Sequence, residues 1–191
     1  DLGRWLDRQA PRGSAYEHDD EGPDDMPAHL RTLLTGVQLS IPLVDARLAQ
    51  LARALEGLAA RFGSNPLMGR TRMQAATEIT VADRIAPWLL PLADHRARIS
   101  EARPRIARLQ LGGASGDRAD LGGKADAVAA DMAAALSLEN PPRAWHTMRD
   151  GVAEFAGLLS LVTGTLGKMG QDVALMAQQG IGEIALSGGG T

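Results

Sequence analysis

Thr71, Arg72 and Gln74 fall within four positions of one another in the run Gly69-Arg70-Thr71-Arg72-Met73-Gln74, where they supply a hydroxyl, a planar guanidinium fork and a carboxamide. These groups orient and neutralise carboxylate oxygens, the arginine through two parallel N–H···O bonds. The same hexapeptide also reads as a helix-start turn in which Thr71 caps and Arg72 is solvated. A second candidate group stands in Trp145-His146-Thr147-Met148-Arg149-Asp150. His146 is a candidate for moving a proton. Arg149, near a helix N-terminus, would add a fixed cation to N–H groups that already attract anions. A lone His also serves simply as a packing residue, and Arg149 and Asp150 also read as local caps and ion pairs. Gln110, Gly112 and Gly113 would let backbone approach a ligand or form a plain turn. Lys168, Gln171 and Asp172 read as a polar layer whose members satisfy one another.

Composition sets the class of chemistry. The 191 residues are 45% hydrophobic and 23% charged, ordinary for a soluble globular domain with a core. A formal charge of -3 gives no reason to expect nucleic acid or an anionic membrane as partner. Arginine nonetheless clusters at 84, 96, 98, 103, 105 and 108, either as a solvated face or as an attraction for a multiply anionic substrate. Without cysteine there is no disulfide or thiolate chemistry, which suits the cytoplasm. The start at Asp1 shows no secretory leader. The most apolar stretch, 152–176, is interrupted by Glu154, Lys168, Gln171 and Asp172, so no membrane span is expected. Neither a phosphate loop nor a ligand cluster calls for a cofactor or metal. His18 among Glu17, Asp19, Asp20 and Glu21 has cation-binding residue types but no rigid scaffold, and residues 1–29 are expected to form an acidic, largely irregular segment.

The remainder, 30–191, reads as a helical bundle. Leu30, Leu33, Leu34, Val37 and Ile41 line one face. After Pro42 the stripe Val44, Leu48, Leu51, Leu55 and Leu58 continues at spacings of three and four. Gly63-Ser64-Asn65-Pro66 stops that element. The Gly69–Gln74 run is placed on a loop leading into a second helix with Ile79, Ile85, Trp88, Leu89, Leu92 and Ile99 inward. Pro87, Pro91 and Pro104 should kink or restart it. A short alanine-rich helix is expected over 124–138. A final helix, capped by Thr147 and running to about Leu186, would be the longest. Its stripe is Phe155, Leu158, Leu159, Val162, Leu166, Met169, Val173, Met176 and Ile181, and Gly157, Gly164, Gly167 and Gly170 permit close helix approach. No alternating strand pattern is sustained, so the expected fold is an all-α, elongated antiparallel bundle that oligomerises to cover its apolar faces.

Three separated runs, Gly69–Gln74, Leu109-Gln110-Leu111-Gly112-Gly113-Ala114 and Ser187-Gly188-Gly189-Gly190-Thr191, resemble the fumarase/aspartase superfamily in their order. The surrounding stretches NPLMGRTRMQAATEITVADR and LLSLVTGTLGKMGQDVALM are most similar to its 3-carboxy-cis,cis-muconate cycloisomerase family, over roughly 41–191. The resemblance implies a helical tetramer whose sites combine motifs from different subunits. It also implies cofactor-free lactonisation of a polycarboxylate in aromatic (protocatechuate, β-ketoadipate) catabolism. Thr71, Arg72, Gln74 and Arg149 would bind substrate, and His146 is the candidate for proton transfer. Arg72 replaces the histidine of many relatives, which favours the cycloisomerases over lyases of the adenylosuccinate or argininosuccinate type. The family's Thr-Ser-x-Asp-like motif has no counterpart at Thr35–Ser40. Its serine loop, Ser-Ser-x-Met-Pro-x-Lys-x-Asn-Pro, would begin after Gly190, so turnover by these residues alone is expected to be impaired. A non-catalytic helical oligomerisation module is the alternative.

Overall fold

A computed structural model describes residues 28–72 and 74–186, with side chains from Ser40 onward. The acidic segment with His18 lies outside the described residues. The chain divides into two compact units, Asp1–Gly36 and Val37–Thr191, and the core, hairpin and cavities belong to the second. The fold is all-α with one small sheet. Helix α1 spans Ala28–Phe62, strands β1 (Pro66–Thr71) and β2 (Gln74–Thr80) form a hairpin, and α2 spans Val81–Ile106. A 3₁₀ turn at Ala119–Lys124 leads into α3 (Ala125–Leu136), and α4 is Asp150–Met176.

The helices meet along residues repeating every seven positions, which is two helical turns and so one face. Ile41, Leu48 and Leu55 on α1, Ile85, Leu92, Ile99 and Ile106 on α2, and Phe155, Val162 and Met176 on α4 are all buried in one cluster. Polar contacts fix the helix directions. Trp88 pairs with Asp172, His95 with Thr165 and Arg105 with Glu154, so α4 descends as α2 ascends. Asp45 and Arg96 link α1 to α2. Leu92 is fully buried, and truncating such a leucine to alanine costs about 2–5 kcal/mol.

Pro42 lies inside α1, which continues across it, as the stripe on both sides implies. The structure corrects several expectations. Helix α2 runs unbroken through Pro87, Pro91 and Pro104. Core packing on both sides of each proline outweighs the lost donors. The longest described helix is therefore α1, with 35 residues, whereas α4 has 27 and stops at Met176 rather than near Leu186. Gly180 at φ 85° and Gly182 at φ 59° reverse the backbone there, and Glu183 N–H returns to the Met176 carbonyl at 3.0 Å. Thr147 is not the cap of α4: the N-cap is Arg149, whose side chain makes no capping bond. Of the α4 stripe, Leu166 faces outward at 38% exposure. No described helix is long and apolar enough to cross a membrane.

Candidate functional site

The motif expected on a loop is a β-hairpin. Met68 pairs with Glu78 and Arg70 with Ala75, so the register shifts at Gly69, a bulge. Gly69 is buried, and a Cβ there would lie 2.7 Å from the Thr77 carbonyl, so only glycine allows the strands this approach. Thr71 pairs with Gln74, leaving the two-residue connection Arg72-Met73. Arg72 has φ 48°, as the tight hairpin turns that match strand twist require. Such a backbone is unfavourable for a side chain larger than glycine by about 1 kcal/mol, and residues held this way concentrate at ligand sites. Thr71 therefore ends β1 and caps nothing. The cap of α2 is Thr80, in a reciprocal capping box with Asp83.

The hairpin faces the C-terminal end of α4. Arg70, Arg72, Arg84, Asp172, Leu175, Met176, Gln178, Ile181 and Glu183 line a cavity of about 310 Å³. Two acids temper its three arginines. Glu183, carried back by the Gly180–Gly182 reversal, accepts from Arg70 Nη2 at 3.2 Å. Asp172 accepts from Trp88 Nε1 at 2.7 Å and from Lys168 Nζ. Burial pushes the Asp172 carboxyl up, but the Lys168 and Trp88 hydrogen bonds, with the charges of Lys168 and Arg84, outweigh burial and hold it below the usual carboxylate range. Asp172 is thus an anion at neutral pH, unsuited to donating a proton. Arg84 Nε is buried without a hydrogen-bond partner. Among the described residues, no hydrogen bond or ion pair engages the Arg72 guanidinium.

Thr71 and Gln74 share the hairpin end with Arg72 but do not line the cavity that Arg70 and Arg72 enter. His146 and Arg149 do not join them. They sit at the opposite end of α4, which at 1.5 Å per residue puts Arg149 about 35 Å from Asp172. There Gly116 packs against the His146 ring, Trp145 N–H donates to Gln110 Oε1 at 2.9 Å, and Arg143 donates to the Ser115 carbonyl. Gln110 is thus committed to the chain itself. Gly112 is where the loop turns closely against Ala144 and the Asp117 carbonyl.

The arginine cluster resolves by position. Arg96 binds Asp45, Arg98 lies 3.9 Å from Asp94, Arg105 binds Glu154, and Arg103 and Arg108 donate to backbone carbonyls. Only Arg84, at the other end of the helix, reaches the hairpin cavity. Sequence reasoning did not single out Arg70, and it offered Arg84 only as one of six clustered arginines, yet both line this cavity. The signal available for Arg84 was its distance from the other five, for it alone lies in the first turns of α2. Among the described residues no cluster of His, Asp and Glu could hold a metal ion.

Residues 24–189 match the lyase family. The chain belongs to that family. It is 42% identical over 187 residues to the 3-carboxy-cis,cis-muconate cycloisomerase of Pseudomonas aeruginosa, covering 96% of this chain and 40% of that protein. Its fold superposes on the crystal structure of 3-carboxy-cis,cis-muconate lactonizing enzyme from Pseudomonas putida with a TM-score of 0.73 at 43% identity, over 78% of this chain and 34% of that one. The corresponding figures for the β-carboxy-cis,cis-muconate cycloisomerase from Acinetobacter calcoaceticus are 0.72 and 30%, over 77% and 34%. The chain thus spans about two fifths of the length of its curated cycloisomerase relative, and the expected helical lyase fold is what the structure has.

Proposed function

We propose that these residues form the anion-holding part of an enzyme that lactonises 3-carboxy-cis,cis-muconate. The observation that carries this is the convergence of Arg70, Arg72 and Arg84, from a strand, a hairpin turn and a helix, on one cavity. In the reaction a carboxylate oxygen bonds to an alkene carbon. The displaced π electrons move to the carbon beside another carboxylate, giving an enolate-like charge that a proton quenches. Guanidinium groups already fixed around that carboxylate stabilise the charge as it forms, without reorganising. Arg72 reaches the cavity from the hairpin turn, where its backbone has φ 48°.

His146 and Arg149 would serve the same chemistry in another copy of the chain. The outward face of α4 supports that assembly. Cβ atoms added at Gly157, Gly164, Gly167 and Gly170 would meet nothing within 4 Å, and Leu161 beside them is 52% exposed. Antiparallel pairing of two α4 helices along this face would set the His146 end of one against the arginine cavity of the other. The same open face favours the second reading, a helical oligomerisation module without turnover. The cytoplasm remains the compartment proposed.

Loss of the muconate diene absorbance, followed with protein expressed from its complete reading frame, tests the function. Lactone formation, slowed by at least tenfold in Arg72→Leu, is expected. An oligomer with no turnover would establish the second reading instead.

A further inference from the structure

We infer that Arg84 is the residue by which the hairpin cavity distinguishes a tricarboxylate from a dicarboxylate. This rests on the polycarboxylate reading of the cavity and extends it to one residue and one substrate group. Arg84 Nε is the only buried side-chain polar atom without a hydrogen-bond partner among the described residues. A buried charged donor left unsatisfied is costly, so native structures supply an acceptor from the protein, from water or from a ligand.

The cavity's two carboxylates each already accept from another donor, and neither hydrogen-bonds Arg84 Nε, although the charges of Asp172 and Arg84 attract. Glu183 is held by Arg70. Asp172 is held by Lys168 and Trp88, with both bonds on Oδ2. Arg70 and Arg72 come from the hairpin, while Arg84 comes from the second turn of α2, so the cations approach one volume from different elements. A ligand with carboxylates on the hairpin arginines leaves Arg84 unpaired unless it bears another carboxylate on the α2 side. The cavity should reject the ligand that lacks it, because rejection is strongest where a missing group strands a buried partner.

Calorimetric titration of the 191-residue chain with 3-carboxy-cis,cis-muconate and with cis,cis-muconate, which differ by one carboxylate, tests this. The wild type should prefer the tricarboxylate by more than about tenfold, and Arg84→Met should bring the two affinities to within about threefold of each other, mainly by weakening the tricarboxylate. Arg70→Met should weaken both ligands alike. In ¹⁵N NMR of the wild type, the Arg84 Nε–H resonance should shift on adding the tricarboxylate and not the dicarboxylate, a readout that needs no variant to fold. An unchanged preference in a folded Arg84→Met, or an Arg84 resonance blind to both ligands while they bind, overturns the assignment and leaves the polycarboxylate reading standing. No binding of either ligand to the wild type removes both.

Discussion

Trp88 donates its indole N–H to Asp172 Oδ2 over 2.7 Å and 84 positions of sequence, joining α2 to α4 at the wall of the arginine cavity. Because Trp88 is only 7% exposed, the bond is shielded from competing water. It holds Asp172 ionised on the side of α4 that faces Arg84. Trp88→Phe keeps most of the ring and removes the donor, so it should cost about 1–3 kcal/mol, read as a lower midpoint in thermal unfolding. An unchanged midpoint would mean that Lys168 alone secures Asp172.

His95 gives the fold a pH dependence. Its Nε2 lies 2.8 Å from Thr165 Oγ1 in the α2–α4 interface, and it is 5% exposed. Burial, aided by Arg98 and opposed by Asp94, lowers its pKa below the ordinary histidine value. The folded chain therefore binds the proton less readily than the unfolded chain. This contribution to stability is complete above about pH 6.5 and falls as pH drops from there through the lowered folded value. Thermal unfolding between pH 5 and 8 should show this loss in the wild type and a flatter dependence in His95→Gln. Parallel profiles would contradict it.

Two glycines in α4 should respond oppositely to the same substitution. A Cβ at Gly151 would lie 2.8 Å from the Arg105 carbonyl, forcing α4 away from the end of α2. Gly151→Ala should therefore destabilise by about 1–3 kcal/mol. At Gly157 the added methyl meets nothing within 4 Å, and Gly157→Ala should be neutral or gain up to about 1 kcal/mol from helix propensity. Denaturant midpoints measured for both variants decide it.

The open face of α4 makes a separate prediction about assembly. Sedimentation of the wild type at micromolar concentration should show an oligomer. Gly164→Leu, which inserts bulk where helices would approach closely, should shift it toward monomer without loss of helical circular dichroism. A monomeric wild type would rule out pairing through this face.

The bundle could be read from the sequence because its signal is local. Ile85, Leu92 and Ile99 lie two turns apart on one helix. The hairpin could not be read this way. Its strands carry little hydrophobic alternation, since β2 is exposed through Glu78, and their pairing depends on Gly69 and on contact with the α4 end. The prolines misled for the opposite reason: a local cost was outweighed by core contacts that only the folded chain makes. Of the residues that line the cavity, Arg72 was legible as part of a motif. Arg70 and Arg84 gain their meaning only when the hairpin meets the first turns of α2.

The central claim is that the cavity between the hairpin and the end of α4 is where a polycarboxylate binds. A crystal structure of the chain with bound 3-carboxy-cis,cis-muconate tests it most directly. The account predicts ligand density with carboxylates on Arg72 and Arg84. Density instead in the separate cleft of about 520 Å³ between Asp45, Arg96, Arg103 and Ser137, with the arginine cavity empty, would contradict it.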